Sequence, residues 1–230
     1  MSTSAFKSNK STEAGFTLVE IAIVLVIIGL LLGGILKGQE MITQAKIKNA
    51  INDFNGVTVA VTSYQDRYRA IPGDDPNATT RWTTQSPASG DNNGIILGKY
   101  NNSIASGAPT NLQESNLFWQ HLRIAGFVPG LTTGTGTGSA PPNAAAGIIG
   151  AESGTATTGL GFISLIVCSS NLPEKIASAV DGQADDSNPA SGQIRAQLQS
   201  VANPDTQAAS ANATAYVETG ANQYLVCKAL

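Results

Sequence analysis

An uninterrupted apolar segment near the N-terminus constrains this chain more than any other feature of its sequence. From Phe16 to Leu36 the only charged side chain is Glu20. About 20 consecutive apolar residues are enough for a helix to cross the hydrocarbon core of a bilayer. A carboxylate inside such a helix is costly unless it finds a partner, so it marks a functional position. The sequence therefore predicts a membrane-spanning helix in which Glu20 has a specific role.

The residues before this segment are unlike an ordinary secretory signal. Such a signal is cleaved behind its hydrophobic stretch, at a site of small residues, whereas here a small residue, Gly15, stands in front of the stretch. Residues 1–15 are polar, and Lys7 and Lys10 favour their retention in the cytoplasm. The hydrophobic segment is therefore expected to remain in the mature protein. A plain single-span anchor is the alternative, but it gives no reason for Glu20.

The sequence GFTLVE at 15–20, followed by IAIVLVIIGLLLGGIL, resembles the N-terminus of type IV pilins and of the pseudopilins of type II secretion. The resemblance is strong over residues 15–70 and rests on general layout beyond them. It implies that a prepilin peptidase cleaves between Gly15 and Phe16 and methylates the new amino group, as in the type IVa class. It also implies that Glu20 attracts the Phe16 amine of a neighbouring subunit during assembly.

The second half of the long helix is visible in the spacing of its apolar residues. They recur at steps of three and four, the period of one helix face: Ile47, Ile51, Phe54, Val57, Val61, Tyr64 and Tyr68. We expect the head to cover this stripe. Pro72 disfavours helical geometry at Ile71, which predicts that the helix stops near Ala70.

The apolar half of the helix has no proline, although many type IV pilins carry a kinking proline there. It contains four glycines instead: Gly29, Gly33, Gly34 and Gly38. Each glycine lowers helix stability by about 1 kcal/mol relative to alanine. Residues 33–38 are therefore the predicted place for the helix to stretch or melt on assembly. Close packing of helices through small residues is a compatible alternative.

These observations predict a chain with three parts. Residues 1–15 form a cleaved leader, 16–70 a long helix whose first part, 16–36, lies in the membrane or the filament core, and 71–230 a head. The head has about 160 residues, enough for one domain with its own core. The formal net charge of −3 gives no general electrostatic footprint for nucleic-acid binding.

Turn signals and apolar runs predict an α+β head. Asn111 with Glu114 forms a capping-box pattern for one helix, which Gly126 and Pro129 end. The other predicted elements are a helix at 173–180 and strands at 148–149, at 162–168, from 193, at 215–217 and at 224–227. Because strands alternate with turns, we expect an antiparallel sheet packed on the helix stripe, the layout of a pilin.

The chain has two cysteines, Cys168 and Cys227, and both fall in predicted strands. An even number of cysteines in an exported domain favours a disulfide over free thiols. The pair also resembles the C-terminal disulfide of pilins, which ties the last part of the head to the sheet. Two buried thiols are the alternative.

Oxygen-bearing side chains near Gly and Pro turns are weak candidate ligands for calcium: Asp74, Asp75, Asp91, Asn93, Asp181, Asp185 and Asp186. None of them has EF-hand spacing, and Asp and Asn favour turns for backbone reasons alone. Solvated turns are the simpler interpretation, and no other cofactor is predicted.

The only histidine, His121, lies close in sequence to Phe118 and Leu122. We expect it at the edge of the core rather than in a catalytic site. Without a second histidine or a free cysteine, a zinc site or a Cys/His nucleophile has little support. No glycine-rich phosphate loop follows a predicted strand. The sequence therefore predicts a protein that is not an enzyme.

Taken with the resemblance, these features predict a prepilin that leaves the inner membrane through a pilus assembly platform and polymerises with identical subunits into a type IV pilus. A pseudopilin is one alternative, although major pseudopilins usually lack a disulfide. A minor pilin acting as an adhesin or DNA receptor is a second, and it would need a basic or aromatic patch. A membrane-tethered enzyme is a third. The sequence does not select among adhesion, twitching motility and DNA uptake.

Overall fold

A computed structural model describes residues 15, 17–102, 113–134 and 136–230 of the chain. The predictions for the leader before Gly15, for the Phe16 amine and for Asn111 lie outside the described residues. The described residues fall into two units, one that ends at Ile42 and one that runs from Thr43 to Leu230.

Helix α1 runs from Leu18 to Tyr68. Every leucine, isoleucine and valine from Leu18 to Leu36 is exposed, and the most apolar part of the helix has a mean hydropathy of 2.8. By length and composition this helix is able to cross a membrane. The helix is continuous through the four glycines at 29, 33, 34 and 38, and a Cβ built at any of them meets no described atom within 4 Å.

The predicted helix end near Ala70 lies two residues too far along the chain. Arg69 follows the last helical residue and has φ 57, the left-handed conformation that ends many helices. The helix therefore stops at Tyr68, before the constraint that Pro72 imposes is reached.

The second unit contains an antiparallel sheet of four strands in the order β1-β2-β4-β3. The strands are β1 Ile149–Ser153, β2 Leu165–Pro173, β3 Ile194–Leu198 and β4 Gln223–Ala229. Three further helices accompany it: α2 Ala78–Arg81, α3 Glu114–Ile124 and α4 Glu174–Ala184. The predicted α+β, pilin-like architecture is confirmed.

The main core lies between α1 and one face of the sheet. Five residues of the predicted stripe are buried there: Ile47, Phe54, Val57, Val61 and Tyr64. Ile51 and Tyr68 are partly buried against the same cluster. Facing them from the sheet are Val167, Ala196 and Val226, with Phe118 from α3 and Val180 from α4. The apolar stripe is thus covered by the head, as the periodicity predicts.

A second, smaller core covers the opposite face of the sheet. Side chains alternate between the two faces of a strand, so Cys168 and Cys227 point away from the side that α1 covers. Tyr100, Leu160 and Phe162, which come from loops, close over these cysteines. Because both faces of the sheet are covered, β2 is buried except at its two ends, and β4 is buried from Tyr224 to Cys227.

Several predicted boundaries are wrong. Strand β2 begins at Leu165 rather than 162, because a 3-10 turn at Gly159–Gly161 places Phe162 in the loop that covers the second core. Residues 215–217 form no strand, and the amide of Val217 donates to the Tyr224 hydroxyl instead of a neighbouring strand. β1 extends to Ser153, well beyond the predicted pair at 148–149.

Helix α3 also starts differently from the prediction. Gln113 is its N-cap residue, and no side-chain hydrogen bond caps it. Glu114 is the first residue of the helix rather than the third residue after a cap, and its carboxylate accepts the backbone N–H groups of Asp91 and Leu97. This glutamate therefore fixes the preceding loop rather than its own helix.

Candidate functional site

The N-terminus of α1 is closed by hydrogen bonds between Thr17 and Glu20. Oε2 of Glu20 accepts the Thr17 backbone N–H at 2.8 Å and the Thr17 hydroxyl at 2.7 Å. The Glu20 backbone N–H in turn donates to the Thr17 hydroxyl oxygen at 3.3 Å. This reciprocal pattern is a capping box. It satisfies two of the N–H groups that a helix leaves unpaired at its start, which matters most where no water can replace the bonds.

The capping box leaves part of the Glu20 carboxylate free. Both hydrogen bonds from Thr17 end on Oε2, and Oε1 accepts none within the described part of the chain. The side chain is therefore held in one orientation while one oxygen stays available to a cation. Sequence reasoning missed this arrangement, although Thr17-Leu18-Val19-Glu20 has the spacing of a capping box.

A second pair of charges follows the apolar segment. Lys37 donates to Glu40 at 2.8 Å, one helical turn further along, and both side chains are exposed. An exposed pair of this kind contributes little to stability. It marks the position at which α1 changes from apolar to amphipathic.

Cys168 and Cys227 are joined by a disulfide. They are direct cross-strand partners in the register of β2 and β4, with their Cα atoms 4.0 Å apart. Both residues are fully buried. The bond therefore ties the C-terminal strand to its central neighbour beneath the loop residues of the second core.

His121 is completely buried, not at the edge of the core as predicted. Its Nδ1 accepts the Gly73 backbone N–H at 3.0 Å, so Nε2 carries the proton and donates to the carbonyl of Ala88 at 2.9 Å. Burial lowers the pKa of His121 to about 4, which keeps the ring neutral at physiological pH. The histidine thus fastens the loop after α1 to α3 and has no free nitrogen for catalysis.

Asp75 serves the same loop. Its carboxylate accepts the Tyr64 hydroxyl at 2.7 Å and the Asn77 backbone N–H at 2.9 Å, and it forms an ion pair with Arg81. Burial acts to raise the pKa of Asp75, but these hydrogen bonds and the Arg81 charge lower it overall. With its oxygens already bonded, Asp75 is poorly suited to a metal.

Two groups of carboxylates come close together in the head. The first, here called the α3 cluster, contains Asp74, Asp91 and Glu114, and the second, the α4 cluster, contains Asp181, Asp185 and Asp186. In each, one oxygen per residue lies within 4.8 Å of the others. Six predicted ligand candidates thus fall in or beside these clusters, since Asn93 adjoins the first. Glu114 was not predicted as a member, because long-range folding alone places it there.

The α3 cluster is fully hydrogen-bonded. Asp74 accepts the backbone N–H groups of Asn93 and Gly94, and Asp91 accepts both the backbone and the side-chain amide of Asn93. The two oxygens of Glu114 are bonded to Asp91 and Leu97. Burial raises the pKa of Glu114, and the nearby Asp74 and Asp91 charges add to the rise.

The α4 cluster lies at the C-terminal end of its helix. Asp181 belongs to the last turn, Asp185 is the C-cap residue and Asp186 follows it in the chain. The Asp181 side chain accepts the Tyr216 hydroxyl at 2.7 Å. Burial raises the pKa of Asp181 and the charges of Asp186 and Asp185 raise it further, although the hydrogen bonds from the Tyr216 hydroxyl and the Ser187 backbone act in the opposite direction.

Comparison with known proteins identifies the N-terminal region. Residues 10–36 match the prokaryotic N-terminal methylation motif. No curated protein and no solved structure matches the chain. The chain therefore carries the leader signature of type IV pilins and pseudopilins, and this signature supports a pilin-like or pseudopilin precursor. The motif implies processing by a prepilin peptidase and assembly into a pilus or pseudopilus, and together with the apolar helix it fits an inner-membrane precursor.

Proposed function

We propose that this chain is the precursor of a structural subunit that polymerises into a type IV pilus. The observation that carries the proposal is the start of α1. There the methylation motif covers the first part of α1, where every leucine, isoleucine and valine from Leu18 to Leu36 is exposed and Oε1 of Glu20 accepts no hydrogen bond from the described residues. Such a helix needs lipid or copies of itself around it.

Assembly begins with removal of the leader. Cleavage between Gly15 and Phe16 exposes an α-amine, which the prepilin peptidase methylates. Glu20 of a neighbouring subunit attracts that charged amine within the membrane. Opposite charges interact far more strongly in a medium of low polarity than in water, and the amine relieves the cost of leaving a carboxylate there unpaired.

The capping box prepares Glu20 for this step. Thr17 holds Oε2 through two hydrogen bonds, so the side chain loses little conformational freedom when Oε1 receives the amine. Within its apolar segment each subunit has one carboxylate, that of Glu20, and its α-amine lies at a different point, on Phe16, so the contact is head-to-tail. A head-to-tail contact that does not close on itself generates a helical fibre.

The head forms the outside of this filament. Its sheet is covered on both faces and its C-terminal strand is tied by the Cys168–Cys227 disulfide, which suits a domain exposed outside the cell. The disulfide is the observation that favours a pilus over a pseudopilus. The partners in this account are identical subunits, the prepilin peptidase and the pilus assembly platform, and the protein passes from the inner membrane to the extracellular fimbrium. We assign it no enzymatic activity.

Electron microscopy of filaments sheared from the cell surface tests the proposal. We expect thin surface filaments in cells that produce the chain, with this chain as the main subunit by mass spectrometry, and none after its deletion. Retention of the processed chain in the inner membrane, with secretion of other proteins impaired on deletion, would instead identify a pseudopilin.

A further inference from the structure

We propose that the head modifies itself at Asn93–Gly94, where the Asn93 side chain cyclises onto the next backbone nitrogen and becomes a carboxylate. Both residues are exposed and lie outside the helices and strands. Glycine has no side chain, so its backbone nitrogen is open to close approach. A dipeptide of this kind reacts without an enzyme, and the groups that surround it here are arranged to promote the reaction.

Asp74 accepts a hydrogen bond from the proton that must leave. The Gly94 backbone N–H donates to Oδ2 of Asp74 at 2.7 Å, and the Asn93 backbone N–H donates to Oδ1 of the same residue at 3.2 Å. Asp74 is only 2% exposed, so its surroundings hold the carboxylate in place. A carboxylate within hydrogen-bond reach of a proton meets the geometric requirement for a general base. Asp74 is therefore the base for the Gly94 nitrogen.

The two ends of the Asn93 side-chain amide are bonded to groups of opposite character. Its Oδ1 accepts the Ile95 backbone N–H at 2.7 Å. A donor at that position stabilises the negative charge that develops on the oxygen when the amide carbon is attacked. Its Nδ2 donates to Oδ2 of Asp91 at 2.8 Å. These bonds fix the orientation of the amide, so little conformational freedom is lost when the ring closes.

The reaction is a cyclisation followed by hydrolysis. Asp74 takes the proton from the Gly94 nitrogen, and this nitrogen forms a bond to Cγ of Asn93. The bond between Cγ and Nδ2 breaks, and the departing nitrogen takes up the proton and leaves as ammonia. Water, which reaches the exposed loop, then opens the cyclic imide at either carbonyl and leaves an aspartate or an isoaspartate at position 93. Overall, one water is consumed and one ammonia is released.

The sequence contains one other Asn-Gly pair, Asn55–Gly56, which lies inside α1. In a helix each backbone N–H bonds to a carbonyl four residues earlier, and a carbonyl is a far weaker base than a carboxylate. The helical backbone must also open before the ring closes. Nζ of Lys228 donates to Oδ1 of Asn55 at 3.2 Å, so both amide oxygens have a donor and the two sites differ in the base and in the backbone. Asn55–Gly56 is therefore an internal control.

Conversion would add a charge where three carboxylates already lie close together. Asp74, Asp91 and Glu114 form the α3 cluster, and they repel a further carboxylate at position 93. An isoaspartate also lengthens the backbone between the two N–H groups that Asp74 holds. We therefore expect the loop from Asp91 to Gly94 to be held less tightly in converted chains, which accumulate with time after the head has folded.

Tryptic peptide mapping of the full-length chain in detergent micelles tests the proposal. Trypsin releases residues 82–99 and 49–67, which carry the two pairs, and chromatography with mass spectrometry separates the asparagine, aspartate and isoaspartate forms. During incubation at neutral pH we expect conversion at Asn93 and none measurable at Asn55. The Asn93 rate in the folded chain should exceed the rate in the guanidinium-denatured chain by about tenfold or more, since a positioned base contributes at least this much. A folded rate equal to or below the denatured rate would overturn the proposal.

Single substitutions identify the base and the reacting side chain. Asp74→Asn should lower the folded rate by about tenfold or more and leave the denatured rate unchanged. Asn93→Gln should remove nearly all of the product, which assigns the reaction to Asn93 rather than Asn92. Asp66→Asn, on the exposed side of α1, is the matched control and should react as the wild type does. If Asp74→Asn does not fold, the comparison of folded and denatured wild type still decides the proposal. An unchanged folded rate in Asp74→Asn, or undiminished product in Asn93→Gln, would contradict the assignment.

Discussion

Thr17 and Glu20 bond to each other in both directions at the first turn of α1, and both bonds that Glu20 accepts end on the same oxygen. The residue that the family resemblance assigns to subunit assembly is therefore also the residue that starts the helix. This double role leads to two separate predictions, one for the carboxylate and one for the hydroxyl.

Replacing Glu20 with alanine should abolish filaments without impairing membrane insertion. Removal of a charge makes the spanning segment more apolar, whereas an incoming subunit loses the charge pair that registers it among interchangeable apolar contacts. Glu20→Asp should be intermediate, because its shorter side chain keeps the charge but loses reach. The measurement compares inner-membrane and sheared-surface fractions in cells without wild-type subunits. Abundant normal filaments from Glu20→Ala would rule out the mechanism.

Replacing Thr17 with valine should reduce the amount of filament, whereas Thr17→Ser should not. Valine keeps the shape of the side chain but removes the hydroxyl that bonds Glu20, and loss of an N-cap side chain costs about 1 kcal/mol. Immunoblots of the same two cell fractions measure the effect. Equal filament yields from Thr17→Val and Thr17→Ser would show that the capping box has no part in assembly.

The glycines of α1 give a third prediction. Alanine at Gly33 and Gly34 should stabilise the helical conformation by about 1 kcal/mol per residue. No described atom lies within 4 Å of the Cβ position at either residue. If this segment stretches or packs closely on assembly, the double variant should insert normally but form fewer filaments. Gly56→Ala is the matched control, since it lies on the same helix and is equally unobstructed. An identical loss in Gly56→Ala would remove the special role of residues 33–38.

Loss of the disulfide should destabilise the head. The two cysteines are 59 positions apart in the sequence. For a loop of this length the chain-entropy model gives a stabilisation of about 4 kcal/mol. Replacing Cys168 and Cys227 together with serine should therefore shift urea unfolding of the detergent-solubilised chain to markedly lower concentration. A direct check is alkylation of the denatured wild-type protein without reductant, which should label neither cysteine. Labelling of both would contradict the bond.

His121 makes the stability of the head depend on pH. Burial lowers its pKa from 6.5 to about 4, with a smaller opposing effect of the Ala88 hydrogen bond and of Asp75. The unfolded chain therefore takes up this proton before the folded chain does. Its contribution is fully present above pH 6.5, declines toward pH 4, and amounts to about 3 kcal/mol. The difference in unfolding free energy between wild type and His121→Gln should therefore shrink as the pH falls from 6.5 to 4. A difference that stays constant over this range would contradict the buried neutral ring.

The sequence predicts those parts of the fold that depend on the spacing of residues close together in the chain. The stripe from Ile47 to Tyr68 predicts its own burial because a helix repeats its faces at a fixed period, and the apolar segment predicts a span from length alone. The predicted strand at 215–217 is wrong, because the backbone N–H of Val217 donates to the Tyr224 hydroxyl instead of to a neighbouring strand. Strand propensity depends strongly on such context.

The residues of the candidate sites were also predictable where they lie close together in the sequence, and not where they depend on contacts between distant residues. Gly15, Phe16 and Glu20 are recognisable from one short motif, whereas the capping role of Glu20 was visible in the spacing and missed. The α4 cluster is nearly continuous in sequence, so its members could be named in advance. The hydrogen bond from the Tyr216 hydroxyl to Oδ2 of Asp181 could not, because the two residues lie 35 positions apart in the chain.

Intact-mass spectrometry of the main subunit of sheared filaments measures leader removal, methylation and the disulfide together. We expect a chain that begins at Phe16, carries one methyl group on its amine and lacks the two hydrogens lost in the Cys168–Cys227 bond. A subunit that retains Met1 or is cleaved behind Gly34, or filaments that contain no trace of this chain, would contradict this expectation.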